Sequence, residues 1–317
     1  MATGVPNSIL AINSLDRFIE VINGKANQPI QNTLQDVYYI TPPYSNDFTI
    51  SSPGALIYGY ITRIVVSQIQ IQYNIPTVCY GLNDRFFIGV GAPVANVKYA
   101  VTIPYGFYVP DELAVALQTA INAVPQLVPL GITVGYNPKD GFIIDAISNF
   151  YFPSYNSIVN TPNETVNTAT VVLKTYKLLG MTILNSGTDT QQYSTMFPNF
   201  LYTPYIDFYS DVLTNYQNVK DTNTSIAKPK GLIARLYLSG NGNLQSQTAT
   251  TALGSEPFVV TADLNSPKII KWTPDVAVPS IDFQLRDCYG DLIPTTPATG
   301  SFSTEFQMTL LCVEEER

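Results

Sequence analysis

Ser225 and Lys228 stand in the run Ser225-Ile226-Ala227-Lys228. In some serine hydrolases this spacing sets an amine beside a nucleophilic hydroxyl, so the chemistry on offer is acyl transfer. The companion motifs S-D-N and K-T-G do not occur. The surrounding DTNTSIAKPKG is polar and punctuated, which reads as a plain loop. Asp207, Asp211 and Asp221 would bind a cation only if the fold gathered them with further oxygens; solvated strand ends explain them better. Gly89-Val90-Gly91 is followed by Val94 where a dinucleotide fingerprint needs a third glycine. Asp140-Gly141 lacks the following pattern of an aspartic protease and fits a hairpin turn. No histidine occurs among the 317 residues. That removes the commonest general base, the commonest metal ligand and every Ser-His or Cys-His pair. The residues therefore predict no catalytic centre, no metal and no cofactor.

The composition points to contact rather than chemistry. Charged residues make up 13% of the chain, about half the usual share. Tyr outnumbers Phe, 21 to 15, and Pro and Gly are frequent. A low-charge, Tyr-rich surface suits a chain that covers much of its outside with other chains. The net charge of −8 argues against direct binding of nucleic acid, which needs a basic face. Cys79, Cys288 and Cys312 are few, widely spaced and odd in number, so they read as small hydrophobes in a reducing compartment. Two glycosylation patterns, at Asn163 and Asn223, matter only in a secreted chain. The start lacks the basic and apolar stretches of a signal peptide. The best membrane-span candidate, ALIYGYITRIVV at 55–66, is too short and contains Arg63. No membrane span is expected.

Patterning places these residues on elements. QIQIQY at 68–73 alternates with period two, the mark of a half-buried strand. SLDRFIEVI, DVYYIT and DFTI are earlier strand candidates. After residue 200, YIDFYSDVL, GLIARLYL, EPFVVTA, KIIKW, IDFQLRD and SFSTEFQMTLLC follow as strands at steady spacing. GLIARLYL is read with Leu232, Ala234, Leu236 and Leu238 on one face. Between them, 77–200 changes character. FFIGV and KYAVTI read as strands, and GITVGY and GFIIDA as a hairpin around NPKD. VVLKTYKLLG reads as a helix stopped by Gly180. Leu113, Ala116, Leu117, Ala120, Ile121 and Val124 form one apolar helical stripe after Pro110, with Asp111 and Glu112 at its positive end. The stripe is scaffold for the neighbouring strands. Tyr38-Tyr39 and Phe86-Phe87 could serve as sugar platforms, but alternation assigns one of each pair to the core. Glu314, Glu315 and Glu316 read as an exposed tail. The fold expected is mainly β: a single eight-stranded jelly roll with a small α+β insertion domain. The jelly roll takes 1–76 and 201–317, with an N-terminal arm at 1–35; the insertion takes 77–200, between the second and third strands.

IPYGFYVPDELAVALQTAIN, the later LLGM, GLIARLYL and the closing IDFQLRDCYGDLIP…FSTEFQMTLLCVEEE occur in this order. Over about 98–145 and 200–317 the chain resembles penton (vertex capsid) proteins of virophages and polinton-like viruses, in the double-jelly-roll DNA virus lineage. The resemblance implies a virion protein made in the host cytoplasm. Five copies, each a single jelly roll, would close an icosahedral fivefold vertex against major capsid protein trimers. An inserted domain would project outward and is open to contact with a host receptor. The resemblance supplies no catalytic residues. Arg17, Arg63 and Arg235 are the candidate interface residues. Three other readings stay open. One is another minor capsid or cement protein of the same virion. The second is a lectin-like receptor binder, which an exposed aromatic cluster on the insertion would mark. The third is a hydrolase using Ser225 and Lys228, which fails if those side chains lie apart or outside a pocket.

Overall fold

The computed structural model describes residues 6–14, 46–52, 55–57, 61–90, 97–154, 166–181, 187–215, 231–238, 258–263, 269–271, 277–294 and 304–314. They fall into two compact units. One comprises Met1–Asn74, Thr203–Leu244 and Phe258–Arg317; the other has Ile75–Tyr202 as its described part.

In the first unit the longest strand is β3 (Ile61–Tyr73). Ile69, Ile71 and Tyr73 are buried and Gln68, Gln70 and Gln72 exposed, as expected. β3 pairs antiparallel with β14 (Phe306–Glu314), which pairs with β1 (Pro6–Asn13). On its other side β3 takes β11 (Phe258–Asp263) along Gln68–Tyr73 and β12 (Ile269–Lys271) along Arg63–Val65. The second sheet runs β10 (Leu232–Tyr237), β9 (Tyr205–Tyr209), β13 (Ser280–Arg286), β2 (Asp47–Ser51), again antiparallel. Ile281, Phe283 and Leu285 of β13 face inward as read. The two sheets share an aromatic core. Phe306 of the first sheet lies 5.8 Å from Phe48, 5.2 Å from Phe208 and 6.0 Å from Phe283, all on the second.

Several expectations are corrected. Residues 6–13, assigned to an arm, form the edge strand β1. Ile9, Leu10 and Ile12 are apolar at both parities, so the run shows no alternation to read. SLDRFIEVI beyond Ser14 and the whole of DVYYIT lie outside the described residues. Three strands of the first unit, β1, β2 and β3, therefore precede the second unit in the chain. YIDFYSDVL is strand only to Tyr209 and then turns into the short helix α3 (Asp211–Asn215). The cause is Asp282 of β13. Its carboxylate accepts from Ser210 Oγ at 3.0 Å, from Asp211 N at 3.0 Å and from Val212 N at 2.8 Å, meeting the free amides of a first helical turn. In GLIARLYL the register shifts between Leu232 and Ala234, which buries Ile233 in place of Leu232. Glu314 is the last residue of β14 rather than part of a tail.

The second unit is a sheet with two helices. The strand order is β5 (Lys98–Thr102), β4 (Arg85–Val90), β7 (Gly141–Tyr151), β6 (Thr133–Asn137), with β8 (Asp189–Tyr193) also on β7. The helices are α1 (Pro110–Asn122) and α2 (Val166–Leu179). The α1 stripe is buried through Leu113, Leu117, Ala120 and Ile121, but Ala114 is buried where Ala116 and Val124 are only partly so. Gln118 of α1 does unexpected work. Its amide donates to Ile132 O at 2.5 Å and accepts from Val134 N at 2.7 Å, taking the place of a further strand on β6. The 137–141 hairpin forms as read, with Gly141 at φ 74°. Phe86 and Phe87 are both buried, correcting the alternating expectation: β4 is covered on both faces, so its side chains have no wet side. Gly180 stops α2 at φ 68°, with Met181 N donating to Tyr176 O and Gly180 N to Lys177 O, the paired bonds of a Schellman cap. Among the described residues no helix is long and apolar enough to cross a membrane.

Phe306→Ala empties the centre of the inter-sheet cluster. It is expected to cost about 3–5 kcal/mol in urea unfolding, and a loss under about 1 kcal/mol would refute the assignment of Phe306 as the inter-sheet knob.

Candidate assembly surfaces

The two sheets of the first unit present unlike outer faces. On the first, register sets Ile9 opposite Leu311, Leu311 opposite Val65, and Val65 opposite Ile269. These four aliphatic residues cross the whole sheet in one row. Ile9 is 66% and Ile269 52% exposed, while Leu311 and Val65 are half-buried. Beside the row, the outward positions are Ala11, Thr309, Gln68, Gln70, Gln72, Gln307, Thr261 and Val259. Charge on this face is sparse and lies beside the row rather than in it: Arg63 on β3, Glu305 just before β14, and, by register, Lys271 opposite Arg63 and Asp263 opposite Gln68 on the edge strands. A solvated face of an antiparallel sheet ordinarily carries many charges. Depletion of charge around an apolar centre is the composition of a covered surface.

The outer face of the second sheet is charged and internally paired. Arg235 of β10 donates from Nε to Asp207 Oδ1 at 2.6 Å and from Nη2 to Asp207 Oδ2 at 2.8 Å. Its guanidinium also lies 3.9 Å from the centre of the Tyr205 ring. The hydrogen bonds to Asp207 raise the Arg235 pKa further above its ordinary value, so it is a fixed cation. Tyr237 meets Tyr205 edge-on at 5.8 Å. Arg286 lies 5.5 Å from the Tyr209 ring centre and donates to Gln284 Oε1 and to Gly290 O, each at 2.8 Å. Burial, then the Asp207 carboxylate, pushes the buried Tyr209 phenol up to about 12, with Arg286 and Arg235 opposing.

The structure thus separates the residues picked out in the sequence. Arg63 stands on the outer face of the first sheet, beside the aliphatic row, Arg235 is engaged with Asp207 of its own chain, and Arg17 lies outside the described residues. Asp207 and Asp211 do not form a cation site together, because Asp207 holds Arg235; Asp221 lies outside the described residues, as do Ser225, Lys228, Asn163, Asn223 and Tyr38-Tyr39. Cys79, Cys288 and Cys312 are free thiols. Cys79 donates to Pro76 O at 3.3 Å, and burial, followed by the Asp84 charge, pushes its thiol far above the ordinary value. It is a protonated, inert packing residue. Sequence reasoning missed the Asp207–Arg235 pair. The signal was there in outward parity on two adjacent strands, but their register was not.

No family model matches the chain, and no curated protein matches it by sequence. Among solved structures it is similar to the crystal structure of the mavirus penton protein, at 9% identity and a TM-score of 0.46, over 85% of this chain and 94% of that one. It is also similar to a chain of the Sputnik virophage structure determined by cryo-electron microscopy, at 13% identity and a TM-score of 0.40, over 96% of this chain and 97% of that one.

Tyr209 gives the first unit an alkaline limit. The unfolded chain releases this proton near the ordinary tyrosine value of about 10, and the folded chain near about 12. Between the two the unfolded state binds fewer protons, so stability falls as pH rises through this window. Tyr209→Phe is expected to make that fall shallower in denaturant titrations between pH 10 and 12; an unchanged slope would contradict the assignment. Asp207→Asn leaves Arg235 half-paired and is expected to cost about 1–3 kcal/mol at neutral pH.

Proposed function

We propose that this chain is a structural capsid protein, a penton whose homopentamer fills the fivefold vertices of an icosahedral DNA virus. One observation carries the reading: a sandwich whose first sheet turns outward an unbroken aliphatic row, Ile9–Leu311–Val65–Ile269, flanked chiefly by glutamines and threonines. Such a face is costly in water and suits lateral burial against another chain. The strand order supports the same view. Taking β11 and β12 as one interrupted strand on β3, the sheets run first–eighth–third–sixth and fifth–fourth–seventh–second. That is the pairing of an eight-stranded jelly roll, two sheets each closed by long crossings. We assign this jelly roll to residues 1–76 and 201–317 and the insertion to 77–200.

In a ring, one patch meets a different patch on the next copy, and the contact repeats until it closes. The face with the aliphatic row is one such patch. The second sheet, with Arg235 paired to Asp207, Arg286 hydrogen-bonded within its own chain and its tyrosines outward, is a fitting other, because these charges already have partners when a neighbour covers them. Arg63 then lies within the contact, while Arg235 serves its own chain. Major capsid protein trimers are the remaining neighbours at a vertex. The role is structural rather than enzymatic, in keeping with a chain that has no histidine.

Native mass spectrometry of the recombinant chain is expected to show a pentamer, and a stable monomer or trimer would refute the ring. Ile9→Asp with Ile269→Asp puts two charges in the aliphatic row at exposed positions. The doubly substituted chain is expected to keep its circular dichroism spectrum and to associate at least about tenfold more weakly. Unaltered association would move the interface elsewhere.

A further inference from the structure

The second unit holds a feature that the assembly reading does not use. Between the 137–141 hairpin and the loop after β8 lies a recess of about 380 Å³, lined by Lys139, Asp140 and Gly141 on one lip and by Tyr193–Pro198 on the other. Phe197 is 85% exposed, Met196 51% and Tyr193 48%. Three large side chains with much of their surface in water at the end of β8 and on the loop after it need an explanation, because burial is what ordinarily fixes a loop.

This loop is fixed by its backbone instead. Ser194 Oγ donates to Leu179 O at 2.6 Å and accepts from Phe142 N at 2.8 Å. Thr195 N and Met196 N both donate to Gly180 O, at 2.8 and 2.9 Å, and Ser194 N donates to Phe142 O at 2.9 Å. A Cβ on Gly180 would collide with the Met196 carbonyl, so only glycine lets the loop seat on the α2 cap. The opposite lip is equally set. Asn137 Nδ2 donates to Asp140 Oδ2 at 2.9 Å, and Lys139 N donates to Asn137 Oδ1 at 3.0 Å. The backbone of the recess is therefore preformed, so a ligand orders the exposed side chains but not the loop that carries them.

We infer that this recess is a binding site for a neutral glycan, taking a hexose unit between the Phe197 ring and the Lys139–Asp140 lip. The chemistry selects this class. A pyranose has an apolar C–H face that stacks on an aromatic ring and a rim of hydroxyls that both donate and accept. Asp140 accepts and Lys139 donates. Their opposite charges sit on neighbouring residues, so the lip carries no net charge to favour an anion or a cation. A peptide strand is disfavoured, since Ser194, Thr195 and Met196 have already given their N–H groups inward and offer no ladder. The inference stands apart from the assembly reading, because it concerns the other unit and makes no use of the sandwich face.

The probes are the methyl glycosides of glucose, galactose, mannose and their N-acetylamino forms, with sialyllactose and phosphatidylcholine vesicles alongside, titrated by NMR into the full chain. At least one neutral glycoside is expected to bind saturably in the millimolar range. Phe197→Ala and Asp140→Asn are each expected to weaken it about tenfold. Both sites are exposed, so folding is retained, and the amide dispersion checks it. Ile147→Ala removes an exposed side chain that does not line the recess and is expected to leave binding unchanged. Four results would overturn the inference: no neutral glycoside binding, binding that survives both substitutions, binding of sialyllactose alone, or Phe197-dependent vesicle binding without sugar binding.

Discussion

The first unit depends on Phe306. It comes from the first sheet and meets three phenylalanines from three different strands of the second, Phe48, Phe208 and Phe283. Offset and edge-on pairs of this kind add about 0.5–1.5 kcal/mol each beyond their buried area. Its partners are scattered over the chain, and one of them, Phe48, lies on the far side of the Ile75–Tyr202 unit. The sandwich therefore closes only when distant segments have paired. Local helices and hairpins do not lead it there, which is the slow, non-local regime of folding. The second unit differs. It has its own buried core from Val78 to Phe200, built within one stretch of chain, and a helix stripe and hairpin to start it.

Charge is partitioned with the same economy. The second sheet places Asp207 in a buried position and satisfies it with two hydrogen bonds from one guanidinium. Arg suits this task because its planar fork matches a carboxylate and its face stacks on Tyr205. A lysine would give one contact and no stack. The first sheet avoids the problem by carrying glutamines and threonines around an aliphatic row. Glutamine keeps such a face wettable in the free chain, yet loses less on burial than a charge does. One sandwich thus carries both ways of making a surface that tolerates a neighbour.

Much of this was legible in the sequence, and the failures share a cause. Alternation is reliable where one face is wet, and β3 and β13 were read correctly. It says nothing where both parities are apolar, which hid β1 and put only one of Phe86 and Phe87 in the core where both are buried. Bulges reverse parity without changing composition. Leu232 was exchanged for Ile233 in that way, and β3 itself slips between Val66 and Gln68 opposite Thr309–Leu310. Contacts made by side chains on another element were invisible. Asp282 ends β9 from the neighbouring strand β13, and Gln118 guards β6 from a helix. Of the candidate surfaces, the shortage of charge could be read, but not its concentration on one face, because that needs the register.

Glycine explains why the exposed loop of the second unit differs from an ordinary loose one. Gly141 and Gly180 both take positive φ, at 74° and 68°. In each case the missing Cβ is also where the 194–198 loop packs, since a methyl at Gly141 would strike Ser194 and one at Gly180 the Met196 carbonyl. The conformation and the close approach are separate demands, and glycine meets both at once. Two turns that end a helix and open a strand thereby become the seat for a third segment. The loop is held by groups that point inward, so its outward side chains are free of any structural duty. Residues relieved of holding the fold are the ones a protein can devote to a ligand, and Phe197 is the most exposed of them.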